Sequence, residues 1–270
     1  MTAQASTLPI DPGPEQLITA VASGGVWEIA LANPPLNLVT KAFLVQLNAV
    51  LDEIQRDPQA RCVLMHQGAG RVFCAGSDMN EFAAVKANAA DEKILFEEFV
   101  TRKLSQLRLP TIAALDGHAL GGGLELALAC DLRVAAPDAR MGLTECRIGG
   151  LGGSGAVRMA RLIGPSRAAQ LLFTGRLITA SQAMTWGLIN EVALEGSALA
   201  LARQWAAEIA SRGPLSNRYA KELIYAALDQ PLAAALGLAN DLQEKIFHSD
   251  DLTSGARAFF EKSPTVFTGR

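Results

Sequence analysis

Two glutamates beside two glycine-rich turns are the residues of this chain best suited to chemistry. Thr111 to Cys130 reads TIAALDGHALGGGLELALAC: a strand-like run, a turn, three glycines and an apolar helix. Three successive glycines let another molecule approach the backbone closely. The first N–H groups of a helix have no internal partner and sit at its positive dipole end, so this segment could seat an oxyanion or a phosphate. Glu125 follows in the first helical turn, where an acid would also simply complement the dipole. Glu145 comes 20 residues later, in Met-Gly-Leu-Thr-Glu-Cys. Two carboxylates at one site could divide acid and base work if burial separated their pKa values. Spacing alone does not bring them together. The second turn, Phe73 to Met79 (FCAGSDM), has small residues that let a backbone N–H point outward, and its Asp78 suits the cap of the next segment.

Other motifs fail on context. Gly150 to Gly155 matches Gly-x-Gly-x-x-Gly, but a dinucleotide fold needs a strand before it and an acid about 20 residues later. Arg147-Ile148-Gly149 is a poor strand end, and no Asp or Glu occurs between Glu145 and Glu191. Ser154 lacks nucleophile-elbow spacing. There is no phosphate-binding Gly-x-x-x-x-Gly-Lys, and three isolated histidines give no metal-ligand spacing.

Strands and helices must hold these residues. Val26–Leu31 (VWEIAL) reads as a strand that Asn33-Pro34-Pro35 ends, since proline cannot join a ladder from inside. Thr40 is placed to cap a helix in which Phe43, Leu44, Leu47, Leu51 and Ile54 recur at helical spacing. Cys62–His66, Thr111–Leu115, Leu132–Ala136 and Ala139–Leu143 read as strands. Ile94, Leu95, Phe99, Leu104 and Leu107 mark a long helix ending before Pro110. Thr179 and Gln182 have capping-box spacing, and residues 198–209, 214–228 and 231–246 read as three helices. No internal repeat is visible. Residues 1–15 carry three prolines and no Lys or Arg and read as a loose N-terminal arm. Residues 16–195 read as an α/β core and 196–270 as a helical C-terminal region.

Half of the 270 residues are hydrophobic and the formal net charge is −3, which excludes a disordered chain and argues against a nucleic-acid or polybasic membrane binder. The first Lys is Lys41 and the first Arg is Arg56, so no secretory or transit signal is expected. The four cysteines, 62, 74, 130 and 146, form no Cys-x-x-Cys pair and lie in or beside apolar runs. Buried free thiols in a reducing cytosol are the expectation.

Taken in order, the motifs resemble the enoyl-CoA hydratase/isomerase (crotonase) superfamily over nearly the whole chain, from about Val26 to Gly269. The resemblance rests on Asn33-Pro-Pro-Leu-Asn37, Phe73-Cys-Ala-Gly-Ser-Asp78, Pro110-Thr-Ile-Ala-Ala, Gly117, Gly121-Gly-Gly-Leu-Glu-Leu-Ala127 and Cys130-Asp131. It continues through Thr174-Gly175, Ala183, Gly187-Leu188, Asn190 and Ala258-Phe-Phe-Glu-Lys262. It implies an α/β fold with a core of repeated β-β-α units and a helical C-terminal trimerisation region. It also implies a coenzyme A thioester as substrate, with no separate cofactor, no metal, and a homotrimer or homohexamer with no nucleic-acid or membrane partner. By position, the backbone N–H groups of Ser77 and Gly122 would form the oxyanion hole, and Glu125 and Glu145 would be the catalytic pair. Ala75, Gly76 and Asp78 would bind the substrate. Phe259 and Lys262 would approach the adenine end of coenzyme A, often from a neighbouring subunit. Residues 79–100 would border the acyl end, with Phe82, Val85 and Leu95 as candidate lining.

Two departures bear on the reaction. Many family hydratases have proline where this chain has Thr144, and proline in the loop that here reads Leu151-Gly152-Gly153. The first expectation is hydration of a 2-enoyl-CoA thioester; the second is Δ3-Δ2-enoyl-CoA isomerisation, which can work with one carboxylate. A non-catalytic CoA-thioester binder and a NAD oxidoreductase using Gly150–Gly155 are the readings from other classes.

Overall fold

The computed structural model describes residues 15–195 and 197–270, so the arm expected over 1–15 lies outside the described residues except for Glu15. A hairpin of β1 (Ile18–Ser23) and β2 (Val26–Leu31) leads into α1 (Lys41–Arg56). Thr40 caps α1 by accepting from Phe43 N–H at 3.1 Å, and the whole predicted stripe from Phe43 to Ile54 is buried.

Three units with one plan follow. In the first, β3 (Cys62–His66) and β4 (Val72–Cys74) precede α2 (Met79–Ala84) and α3 (Leu95–Ser105). The second is β5 (Thr111–Leu115), β6 (His118–Leu120) and α4 (Gly122–Ala129). The third is β7 (Leu132–Ala135), β8 (Arg140–Gly142), a 3₁₀ turn at Glu145–Ile148 and α5 (Gly153–Ile163). In each unit the first strand joins a six-stranded sheet and the second joins a four-stranded sheet. The repeat is structural, although no letter pattern betrays it.

Beyond lie α6 (Pro165–Thr174), β9 (Ile178–Thr179), α7 (Ala180–Trp186) and β10 (Glu191–Val192). The larger sheet runs β1-β2-β3-β5-β7-β10 and is parallel except for the β1–β2 hairpin. The smaller runs β4-β6-β8-β9, parallel but for β9. The main core fills the space between the sheets and under α1, α3 and α4.

The C-terminal helices are α8 (Ala198–Ala210), α9 (Pro214–Asp229), α10 (Leu232–Phe247) and α11 (Asp250–Glu261). The first three match the sequence expectation; α11 does not follow from any predicted run. Helix α8 lays Ala198, Ala202 and Ala206 on Cys62, Leu64, Ile112 and Val134, forming a second core on the other face of the larger sheet. Asp116 fixes the start of α8 by accepting from Ala198 N–H and, at 3.0 Å, from Leu199 N–H. Among the described residues no helix is long and apolar enough to cross a membrane. Cys62, Cys74 and Cys130 are buried free thiols as expected, but Cys146 is exposed, because the turn after β8 carries it out of the sheet.

Candidate active site

The C-terminal ends of β4, β6 and β8 meet at a cleft of about 720 Å³. Ligands commonly bind beyond the carboxyl ends of parallel strands. Corresponding places in three successive units thus feed one site: Ser77 after β4, Gly122 after β6 and Glu145 after β8, all three lining the cleft.

Ser77 is held by a parallel bridge to Val39. Val39 N–H donates to Gly76 O at 3.0 Å, and Asp78 N–H donates to Val39 O at 3.1 Å. In a parallel bridge the flanking residues make these bonds, so the N–H of Ser77 itself faces away from Val39. Gly121, at φ 52°, turns the chain into α4, and its N–H donates to Gly142 O at 2.9 Å. Gly122 is the first residue of α4, where an N–H has no helical acceptor. A Cβ on Gly122 would stand 2.6 Å from Ser77 Oγ and 3.2 Å from Ser77 N. The two turns therefore touch backbone to backbone, with two free N–H groups side by side. The positive φ belongs to Gly121 and not to Gly122, where close approach to Ser77 is what requires glycine. Gly123 has a different cause again: its Cβ would fall 2.3 Å from Cys74 O, where α4 packs on β4.

The two glutamates expected to share a site do share it. Glu125, in the first turn of α4, accepts from Ser154 Oγ at 2.6 Å. Glu145 opens the 3₁₀ turn, and its Oε2 is buried with no hydrogen-bond partner. Burial pushes the Glu145 carboxyl above the usual carboxylate range; its own backbone N–H pulls against this, and the charge of Glu125 adds to it. The second glycine cluster makes room for both. A Cβ on Gly152 would lie 3.1 Å from Glu145 Oε2, and one on Gly155 would lie 2.7 Å from Glu125 Cγ. The apparent dinucleotide fingerprint is thus a loop moulded around two carboxylates, and no strand precedes it.

Sequence reasoning missed a third acid. Glu97 of α3 lines the same cleft, and its Oε1 accepts from Ser77 Oγ. Burial raises its carboxyl; the bond from Ser77 and the charge of Lys93 oppose this, while Glu125 and Glu81 reinforce it. A signal existed. Glu97 falls on the stripe that continues as the buried Val100, Thr101 and Leu104, where a carboxylate is out of place. Much of the remaining wall is apolar, formed by Met79, Phe82, Ile94, Ile148, Leu151 and Leu177, with Glu98, Thr144 and Arg147 as further polar lining. Of the expected lining residues Phe82 faces the cleft, whereas Val85 and Leu95 do not line it.

The other expected residues divide. Ala75 and Gly76 line the cleft, and Gly76 has a φ of 115° that only glycine adopts readily. Asp78 accepts from Asn80 N–H at 2.8 Å as the cap of α2, and is not among the lining residues. Phe259 and Lys262 lie at the end of α11, outside the cleft, with Phe259 79% exposed. Among the described residues no three His, Cys, Asp or Glu side chains are grouped to hold a metal ion.

The profile of the enoyl-CoA hydratase/isomerase family matches residues 21–270. A probable mitochondrial enoyl-CoA hydratase 2 of Arabidopsis thaliana is 33% identical over 97% of this chain and 89% of its own length. The mitochondrial methylglutaconyl-CoA hydratase of Mus musculus is 34% identical over 86% of this chain and 76% of its own. The crystal structure of an enoyl-CoA hydratase from Bacillus anthracis superposes with a TM-score of 0.89 at 35% identity, covering 94% of this chain and all of that one. The fold, with its repeated β-β-α core, is that of these relatives, and the chain belongs to the enoyl-CoA hydratase/isomerase family of enzymes.

Proposed function

We propose that this enzyme adds water across the C2=C3 bond of a 2-enoyl-CoA thioester. The observation that carries the reading is the pairing of two free backbone N–H groups, on Ser77 and Gly122, with two carboxyl groups that their surroundings treat differently. The thioester oxygen sits between the two donors. As water attacks C3, negative charge moves onto that oxygen, where each fixed donor contributes about 2.7–4 kcal/mol of transition-state stabilisation. Glu125, held by Ser154, takes a proton from the attacking water. Glu145, whose buried carboxyl favours the neutral form, gives its proton to C2. Exchange with solvent then restores both groups.

Ala75 and Gly76 lie along the path of the thioester arm in this reading, whereas Asp78 serves by capping α2 beside it. Three exposed apolar side chains, Phe259, Phe260 and Val266, suit a subunit contact in a trimer or hexamer, with Phe259 and Lys262 reaching the adenine end of a neighbour's substrate. Light scattering tests this: the expected mass is a multiple of three chains, and a clean monomer at micromolar concentration removes both the trimer and the shared site. The free thiols keep the reducing cytosol as part of the reading.

The deciding experiment is a hydration assay on crotonyl-CoA and a panel of longer and branched enoyl-CoA thioesters, followed by loss of the conjugated thioester absorbance. No turnover on any of them overturns the proposal. One observation favours Δ3-Δ2 isomerisation as a second reading: Ser154 occupies one oxygen of Glu125, while Glu145 is left untied. Conversion of a 3-enoyl-CoA without hydration would select it.

A further inference from the structure

We infer that Glu97 is a positioning residue of the oxyanion hole, fixing Ser77 through its hydroxyl, and that turnover needs the Glu97 carboxyl in its neutral form. This rests on the function proposed above. Its starting point is contact. The Ser77 hydroxyl donates to Glu97 Oε1, and that oxygen lies 3.7 Å from where a Cβ on Gly122 would stand. A carboxyl group therefore borders both donor residues.

The turn that leads into the helix carrying Glu97 is braced against the same bridge from its other side. One turn earlier Lys93, buried, donates through Nζ to Val39 O at 3.1 Å and to Glu81 Oε2 at 2.7 Å. Glu81 in turn accepts from Lys41 N–H. Val39 is the residue whose bridge brackets Ser77, so Lys93 holds the rear of the bridge and Glu97 holds the Ser77 side chain.

Charge makes Glu97 more than a brace. The reaction places a negative charge on the thioester oxygen, and an ionised Glu97 beside the donors would oppose it. The groups around Glu97 mostly work against ionisation. Glu125 faces it from α4, Glu81 from α2, Glu98 lines the same cleft, and Glu145 stands across it. Lys93 is the cation that opposes them, but Glu81 already pairs with it. Arg158 of α5 answers to Glu125 and Glu98. Burial raises the Glu97 carboxyl in the same sense.

The test uses Glu97→Gln, which keeps an oxygen for Ser77 but cannot ionise, and Glu97→Leu, which keeps neither property. Acetoacetyl-CoA serves as an equilibrium probe, because its enolate places the same charge in the hole and is followed by absorbance. With Glu97→Gln the pH midpoint for bound enolate should fall by about one unit, a tenfold change in enolate fraction below the midpoint. The alkaline fall of kcat should move up in parallel. Glu97→Leu should lose roughly tenfold or more in kcat with little change in KM, as a misplaced donor does. A Glu97→Gln protein that keeps both the parental midpoint and the parental alkaline fall of kcat overturns the inference even if Glu97→Leu does not fold, and so does a Glu97→Leu protein with parental kcat. Should the parent fail to hydrate any enoyl-CoA, the proposed reaction falls, yet the midpoint comparison still decides the role of Glu97.

Discussion

The two ends of α4 hold buried charge in opposite ways. Just past its C-terminal end, Asp131 accepts from Thr111 N–H and Oγ1, from Tyr225 Oη and from Lys221 Nζ, at 2.7 to 2.9 Å. Arg133, buried where Asp131 is half-buried, donates to the carbonyls of Leu188, Ala127, Cys130 and Asp131, a cation at the negative end of the helix dipole. At the N-terminal end Glu125, Glu145 and Glu97 gather, and among the described residues none of the three forms an ion pair. One oxygen of Glu145 has no partner at all. Native proteins rarely leave buried polar atoms unpaired. A charge with all its partners holds the chain together, whereas acids gathered without ion-pair partners are kept for something that arrives.

The contrast can be broken most sharply in the cleft. Glu125→Gln and Glu145→Gln should each lower kcat by roughly 10²–10⁴ while keeping the shape of the side chain. Near-parental hydration by Glu145→Gln would take that residue out of the mechanism and favour isomerisation. At the other end the losses should exchange places. Asp131→Ala leaves Lys221 and its neighbours without their shared acceptor and should cost about 3–5 kcal/mol in urea unfolding. The protein that remains folded should turn over normally. If stability instead changes by less than about 1 kcal/mol, Asp131 behaves like a surface pair and the contrast fails.

Gly122→Ala comes next. The added methyl would collide with Ser77 Oγ, so kcat/KM should fall some 10²–10³-fold, about the worth of one donor. Binding of coenzyme A itself, which lacks the acyl carbonyl, should change little. Normal hydration by a folded Gly122→Ala would remove Gly122 from the hole.

The smallest effect is on stability. Burial holds the folded-state pKa of Glu145 above its unfolded value. Between the two values the folded chain binds more protons than the unfolded one, so stability falls as pH rises through that window. Glutamine escapes this penalty. Glu145→Gln should therefore melt above the parent at neutral pH, and the gap should close as pH drops through that window towards the ordinary carboxylate value. A gap independent of pH would mean that burial of the charge is not its source.

Much of this arrangement was legible in the letters. The stripe of α1, the glycine-to-helix junction before Glu125 and the buried strands β3 and β5 follow from period and turn chemistry, which act locally. The short β6, β9 and β10 carry too few residues to show a period, and β1 opens on Ile18 with no turn signal before it. Glu97 escaped because its partner lies 20 residues away on another element. The loop around Gly152 was misleading for the same kind of reason: its glycines answer to side chains that only the fold brings near. The repeat stayed hidden because each unit ends in different residues, Ser77 after β4, Gly122 and Glu125 after β6, Glu145 after β8.

Both proposed donors are main-chain groups, and that has a consequence for how such a chain can change over time. Every residue but proline carries an N–H, so most substitutions at Ser77 leave its donor in place. The acids, in contrast, are single letters on separate elements, each open to replacement by one mutation. At Ser77, though not at Gly122 where no side chain fits, the proposed seat for a polarised carbonyl is thus robust to drift, while the proposed proton-handling groups around it are free to vary. A lineage built this way can try new reactions on an activated thioester without first surrendering the means of activating it.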